Sequence, residues 1–267
     1  MEEGVPDRKG QVVSKIHRCY TLRKNVAEKG EYFMYYSGMR YGYGMDPMYI
    51  LVIIMAILCM IASARVSSVY KKYAKIRSMS GLTGAQAAME ILRRNGISDV
   101  IVQHVPGNLT DHYDPRTKTV NLSDSTYGSN SVAAVAVAAH ECGHVLQHHT
   151  AYLPLTIRTA IVPAANIGSK AGIPILILGM FLSIRPLITL GILVFSLAVL
   201  FQVVTLPVEF NASNRAMVML EEYGILAHEE VSDSRKVLTA AAMTYVASAA
   251  SAVVQLLRLV MLNNRRR

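Results

Sequence analysis

The chain has 267 residues, 52% of them apolar, no tryptophan, and a formal net charge of +9. That length can bury a real core in one large domain or two modest ones, but apolar residues gathered into blocks exclude an ordinary soluble enzyme. The bases lie beside those blocks and not in a stripe interleaved with aromatics, which argues against nucleic acid and makes the lipid bilayer the first partner.

Residues 1 to 47 read as a mixed-charge tail with a Tyr/Gly-rich end, "YYSGMRYGYGMDP", and no helical period. Disorder is expected there, and Met34, Met45 and Met48 each offer a later start. Next comes "YILVIIMAILCMIASA", Tyr49 to Ala64, which carries no charge. With Pro47 and Met48 it approaches the roughly 17 to 25 residues that a bilayer-crossing helix needs. Residues 48 to 64 are therefore expected to form a transmembrane anchor. The long polar tail before them argues against a cleaved signal. Arg65, Lys71, Lys72, Lys75 and Arg77 follow the anchor closely, against Arg40 alone at similar distance before it, so the positive-inside rule puts the following segment in the cytosol. Cys19, Cys59 and Cys142 are odd in number and scattered, which predicts no disulfide framework and a reducing compartment.

Residues 65 to 170 are expected to hold a small α+β region. In "LTGAQAAMEILRRNG", Thr83 and Gln86 have capping-box spacing, Ala88, Ile91 and Leu92 mark one face, and Gly96 is placed to stop the helix. "DVIVQHV" and "KTVNLS" predict two short strands separated by the turn-rich "PGNLTDHYDPRT". The second could serve as an edge strand to which an extended substrate adds, or as a plain core strand.

A helix is then predicted from Ser131 to His149, apolar at its start and polar at its end, and too short in its apolar part to span a bilayer. It contains "AAHECGHVLQHH". Residues four apart stack on one helix face, so His140 and His144 present two imidazoles together, half of a tetrahedral zinc site. Glu141 projects about 100° around the axis, within reach of a water activated there. A His-Glu-His cluster at the end of an apolar helix is costly to bury without a metal. Cys142 points the other way and reads as a packed thiol. Gln147 and Thr150 stand where a metzincin would have its glycine and third histidine, so that pattern is excluded. His148 lies on the same face, but three ligands on one straight helix converge poorly.

The second apolar block, Ile173 to Val208, has Arg185 as its only charge, followed by Pro186. One helix that long would overshoot a bilayer, so residues 171 to 208 are expected to form a transmembrane hairpin turning near Arg185, its first arm interrupted by Lys170 and Pro174. Such a hairpin returns the chain to the side it left and brings out Glu209, in "LPVEFNASNRA", beside His140 and His144. Glu209 is the favoured third ligand, on a helix over 209 to 235; Glu221, Glu222, Glu229 and Glu230 stand further along, and an acid at a helix N-terminus needs no metal to be there. Residues 236 to 267 are apolar and rich in small residues. As a span they would carry Arg265 to Arg267 outside, so a surface-lying or docked helix is favoured, with intramembrane packing as the alternative.

"GLTGAQAAMEIL", "DHYDPRTKTVNLS", "AAHECGHVLQH", "AYLPL" and "LPVEFNASNRA", in that order, resemble the YugP-like neutral zinc metallopeptidase family of bacterial membranes, from about Met45 onward. The resemblance implies an α-helical membrane protein with a small α+β zincin-like metallopeptidase region, distantly similar to HtpX-type gluzincins. It implies one Zn2+ per chain on His140, His144 and Glu209, Glu141 as general base, and a protein or peptide substrate. It also implies a place in a bacterial membrane, expected to be the cytoplasmic one, and the positive-inside rule puts the catalytic region on the cytosolic side. HtpX-like enzymes carry an Asp four residues after the ligand Glu, where this chain has Ser213. Tyr127, His148, Arg215 and His228 are candidate donors to the oxyanion of peptide hydrolysis, unranked by sequence. Two alternatives remain: a metal-binding but inactive membrane scaffold, against which an intact Glu141 argues, and an intramembrane site-2 type protease, which would want an Asp ligand where none occurs between Asp124 and Asp233.

Overall fold

The computed structural model describes residues 47–264. The tail before Pro47 and the bases Arg265 to Arg267 lie outside the described residues. Helix α1 (Pro47–Tyr73) continues the uncharged block through the bases that follow it, and no part of its apolar window is buried within the chain. Its C-terminal end is held down by Tyr70 and Tyr73, which pack with Ala133 and Val237, while the Tyr70 hydroxyl donates to the Ser125 carbonyl at 3.0 Å.

Helix α2 (Gly84–Arg94) starts on a reciprocal capping box: Thr83 accepts from the Gln86 N–H, and Gln86 accepts from the Thr83 N–H. It stops where Gly96 takes φ +67°, a left-handed conformation that costs glycine little. A three-stranded sheet follows, β1 (Ile101–His104), β2 (His112–Asp114) and β3 (Thr119–Leu122), in the order β1-β3-β2. β1 runs parallel and β2 antiparallel to β3, with Val102 and Tyr113 both opposite Val120. The strand predicted from "KTVNLS" is thus central and fully buried, which overturns its reading as an edge; the free edges belong to β1 and to β2, in the stretch read as turn. Three residues amid Pro, Asn, Asp and Gly are too few to show a period.

Helix α3 (Val132–His149) is capped by Ser131, which accepts from the Ala134 N–H. Its alanine-rich first half is buried on nearly every side, between α2, β3 and the helical stretches at residues 216–220 and 231–238. Small side chains let those neighbours close in, and the large ones they contribute, such as Ile91 and Leu220, are fully buried. Each such side chain is worth about 1.5–3 kcal/mol relative to exposure.

The remaining helices are long: α4 (Leu153–Phe181), α5 (Arg185–Glu222) and α6 (His228–Asn264). With α1 they make four helices long and apolar enough to cross a membrane. The chain is an α-helical membrane protein with a small α+β region. The α4–α5 turn falls at Leu182–Ile184, but α4 begins at Leu153 and runs through Pro163 and Pro174, which do not interrupt it. A packed neighbour makes this tolerable: Gly168, Gly172 and Gly179 lie so close to the α5 backbone that a Cβ on any of them would collide with it. Helix α5 likewise passes through Pro207, so Glu209 belongs to the same helix as the hairpin and opens no new one. The C-terminal apolar stretch is no surface-lying helix. It is part of α6, whose Leu259 packs in one cluster with Leu176, Ile188 and Phe195, and whose Asn263 donates to Thr189 at 3.3 Å beside the α4–α5 turn. It packs lengthwise against α1 and α5, as a docked helix does.

Candidate metal centre

The α+β region sits at the end of the bundle where α1 and α5 finish and α4 and α6 start. There α3 lies against α5. What sets their distance is Gly143, the fourth residue of "HECGH": a Cβ on it would strike the Ala212 carbonyl oxygen of α5. Backbone contact at that point lets His140 and His144, on one side of Gly143, meet Glu209 of α5. Ligand atoms of His140, His144 and Glu209 all lie within 4.8 Å of one another.

Their orientation is specific. Nδ1 of His140 faces Ser213 Oγ at 3.1 Å, and Nδ1 of His144 faces Gln147 Oε1 at 3.0 Å. With Nδ1–H donating in both rings, each Nε2 is left as an unprotonated lone pair. Both lone pairs point at the same carboxylate oxygen, Glu209 Oε2, from 3.4 Å and 3.7 Å. Oε2 is buried and has no hydrogen-bond partner among the described residues. Three acceptors aimed at one another, one of them an orphaned buried carboxylate oxygen, repel unless a cation lies between them. Two imidazoles and a carboxylate are the donor set that zinc takes in a catalytic site with one open position. The residues present therefore fit a zinc ion.

A second layer fixes this set. Gln147 is fully buried and uses its amide twice more, donating to the Val208 carbonyl at 2.7 Å and to Asn211 Oδ1 at 3.0 Å. Asn211 Oδ1 also accepts from Arg215 Nε at 2.9 Å, and Arg215 lies over the Tyr152 ring. Ser213 stands at the position where the resemblance expected an Asp, and it meets His140. The excluded metzincin glycine position is thus filled by the residue that orients His144. Neither Gln147 nor Ser213 carries a sequence signal for this role, because each is defined by the crossing of α3 and α5.

Glu141 is buried beside the cluster. Burial pushes its carboxyl up to about 7; His140 and a hydrogen bond from the Tyr113 backbone work against that shift, while Asp111 and Glu209 reinforce it. The edge strand β2 therefore runs alongside Glu141. Cys142 faces away, its thiol 3.7 Å from the Ala88 carbonyl, and burial raises its pKa far above the ordinary value.

The four donors suggested from sequence fall elsewhere. Tyr127 stacks edge-on against His104, His148 is exposed and meets the Tyr113 ring, Arg215 is engaged as above, and the His228 side chain is 91% exposed beside Glu221. Glu221, Glu222, Glu229 and Glu230 are not in the cluster either; Glu230 caps the start of α6 by accepting from the Ala227 N–H. The basic residue that does approach the ligands is Arg158 of α4, with Nη1 3.9 Å from Glu209 Oε1. It sits in an otherwise uncharged stretch, with no motif to mark it.

A bundle of membrane-length helices carrying a small α+β region and an inward-facing His-His-Glu set defines a membrane protein with a candidate metal centre. Residues 48–264 match the family described as "Putative neutral zinc metallopeptidase", and the chain belongs to that family. It is 48% identical over 202 residues to "Putative membrane protease YugP" of Bacillus subtilis (strain 168), covering 75% of this chain and 89% of that one. No solved structure matches the chain.

Proposed function

We propose that this protein is a membrane-anchored zinc endopeptidase that cuts protein or peptide substrates at the cytosolic face of a bacterial cytoplasmic membrane. The observation that carries the reading is the orphaned Oε2 of Glu209, faced by the Nε2 atoms of His140 and His144. His140, His144 and Glu209 would hold one zinc ion, which when bound supplies a Lewis acid for the scissile carbonyl and acidifies an attacking water.

The chain's own residues do the rest. Glu141, buried on the same helix, takes the proton of the water and hands it to the leaving amine. Gln147, whose amide nitrogen is committed elsewhere, accepts the Nδ1 proton of His144, and the Ser213 hydroxyl can accept that of His140, which leaves Nε2 free in both rings. Strand β2 offers its open edge next to Glu141, and an extended substrate can pair with it as a further strand. The cluster belongs to α3 and the bundle end, which favours cleavage outside the lipid over intramembrane cleavage.

The orientation rests on the bases that follow α1 on the side of the α+β region. Cysteine labelling in intact cells checks it, with positions 93 and 183 expected to be shielded and accessible from outside, respectively. Activity is tested with the full chain purified in detergent and β-casein as an unfolded substrate. Cleavage is expected that stops on chelation, returns with zinc and falls steeply in Glu141→Gln. Zinc-loaded protein that leaves casein intact and binds no peptide-like metallopeptidase inhibitor would instead support an inactive metal-binding scaffold.

A further inference from the structure

Hydrolysis of a peptide places growing negative charge on the carbonyl oxygen, and a donor besides the metal is needed to meet it. None of the four side chains suggested from sequence stands against the ligand set. Arg158 does. It projects from α4, an element that contributes no ligand, toward the carboxylate of Glu209, and its guanidinium lies over Phe201 of α5, 5.9 Å from the ring centroid. Glu209 thus faces the two imidazoles with Oε2 and Arg158 with Oε1.

The Arg158 contact is too long for a hydrogen bond. At 3.9 Å the guanidinium is near Glu209 without being engaged by it. Arg215, by contrast, is held by Asn211 at 2.9 Å. The Arg158 side chain is also 30% exposed while that of Glu209 is 4% exposed, so its N–H groups remain reachable from outside the cluster. A buried arginine devoted to orienting a carboxylate would form the bidentate fork that this pair suits best, and here it does not. Charge points the same way. A divalent ion among two neutral imidazoles, one carboxylate and one guanidinium leaves the site net positive, which suits an oxygen that is gaining charge and not a cation awaiting a ligand.

We propose that Arg158 is a catalytic residue that donates to the substrate carbonyl oxygen as the peptide bond is attacked. The proposal rests on the peptidase reading above. A bond forms between the water oxygen and the carbonyl carbon, the proton leaves through Glu141, and the π electrons move onto the carbonyl oxygen, where the guanidinium meets them. The arginine gives up no proton; when the C–N bond breaks, the pair returns and the hydrogen bond weakens.

The test uses the full chain in detergent, with Arg158→Gln and Arg158→Lys. Three quantities are measured: zinc affinity by chelator competition, steady-state cleavage of β-casein, and binding of a phosphoryl dipeptide, whose tetrahedral oxygens imitate the attacked carbonyl. Expected in Arg158→Gln are zinc affinity equal to or tighter than wild type, since a nearby cation has been removed, and KM within a few-fold of wild type. A kcat about 10²–10³-fold lower is expected with them, as for loss of one oxyanion donor. Dipeptide binding should weaken in parallel, and Arg158→Lys should recover part of both losses. Unchanged kcat and unchanged dipeptide binding would overturn the proposal. So would a fall in zinc affinity that accounts for the lost activity, because Arg158 would then act through Glu209. A wild type that binds no zinc would instead sink the peptidase reading, which the chelator competition shows before any variant is compared.

Discussion

Helix α5 is used in two ways along its length. Toward its start it packs against α4 through glycines, with Gly172 against Phe195 and Gly191 against Leu176, and the neighbours there are apolar. Toward its end it packs against α3 through another glycine, Gly143 against Ala212, and the neighbours are Gln147, Asn211, Ser213 and a carboxylate oxygen without a partner. The same device of close backbone approach seals an apolar seam in one half and brings ligating atoms together in the other. The lesson is that a glycine contact alone says nothing of function; the polar atoms left over beside it do.

The largest expected effect is on chemistry alone. Glu141→Gln should retain zinc and fold while casein cleavage falls about 10²–10⁴-fold, the range for a lost general base, as read by initial rates. The two glycine contacts are separated by a matched pair. Gly143→Val and Gly172→Val should each lower stability by about 1–3 kcal/mol through overpacking, read by thermal melts in detergent. Only Gly143→Val should also release zinc, because only that contact sets the distance from the histidines to Glu209. Equal zinc loss in both would mean that the halves of α5 are not independent. A smaller effect is expected from Gln147→Leu, which leaves His144 unoriented and should weaken zinc about 10–100-fold by chelator competition. Ser213→Ala removes a single hydroxyl that water can replace at a partly exposed ring, and should weaken zinc by less than Gln147→Leu does.

Local chemistry made much of this legible in the sequence. The Thr83–Gln86 box and the stop at Gly96 are each decided within a few residues, and they are found as expected. The spacing of His140 and His144, and a carboxylate emerging after an apolar hairpin, were enough to select three residues that the fold brings within 4.8 Å. What could not be read is set by contact between elements. Strand β2 exists because β3 pairs with it. Helix α4 continues past Pro163 and Pro174 because α5 lies against its glycines. Helix α6 runs the length of the bundle because α1 and α5 receive its apolar faces. Arg158 and Gln147 matter through neighbours far away in sequence, and the residues around them do not state what either one contacts.

The most direct measurement is bound zinc per chain, by mass spectrometry on detergent-purified wild type, His140→Ala, Glu209→Ala and Glu141→Gln. Expected is about one zinc in wild type and in Glu141→Gln, as for a mononuclear site, and loss from the other two. Zinc retained at full occupancy in Glu209→Ala, or none in wild type, would contradict a site built on His140, His144 and Glu209.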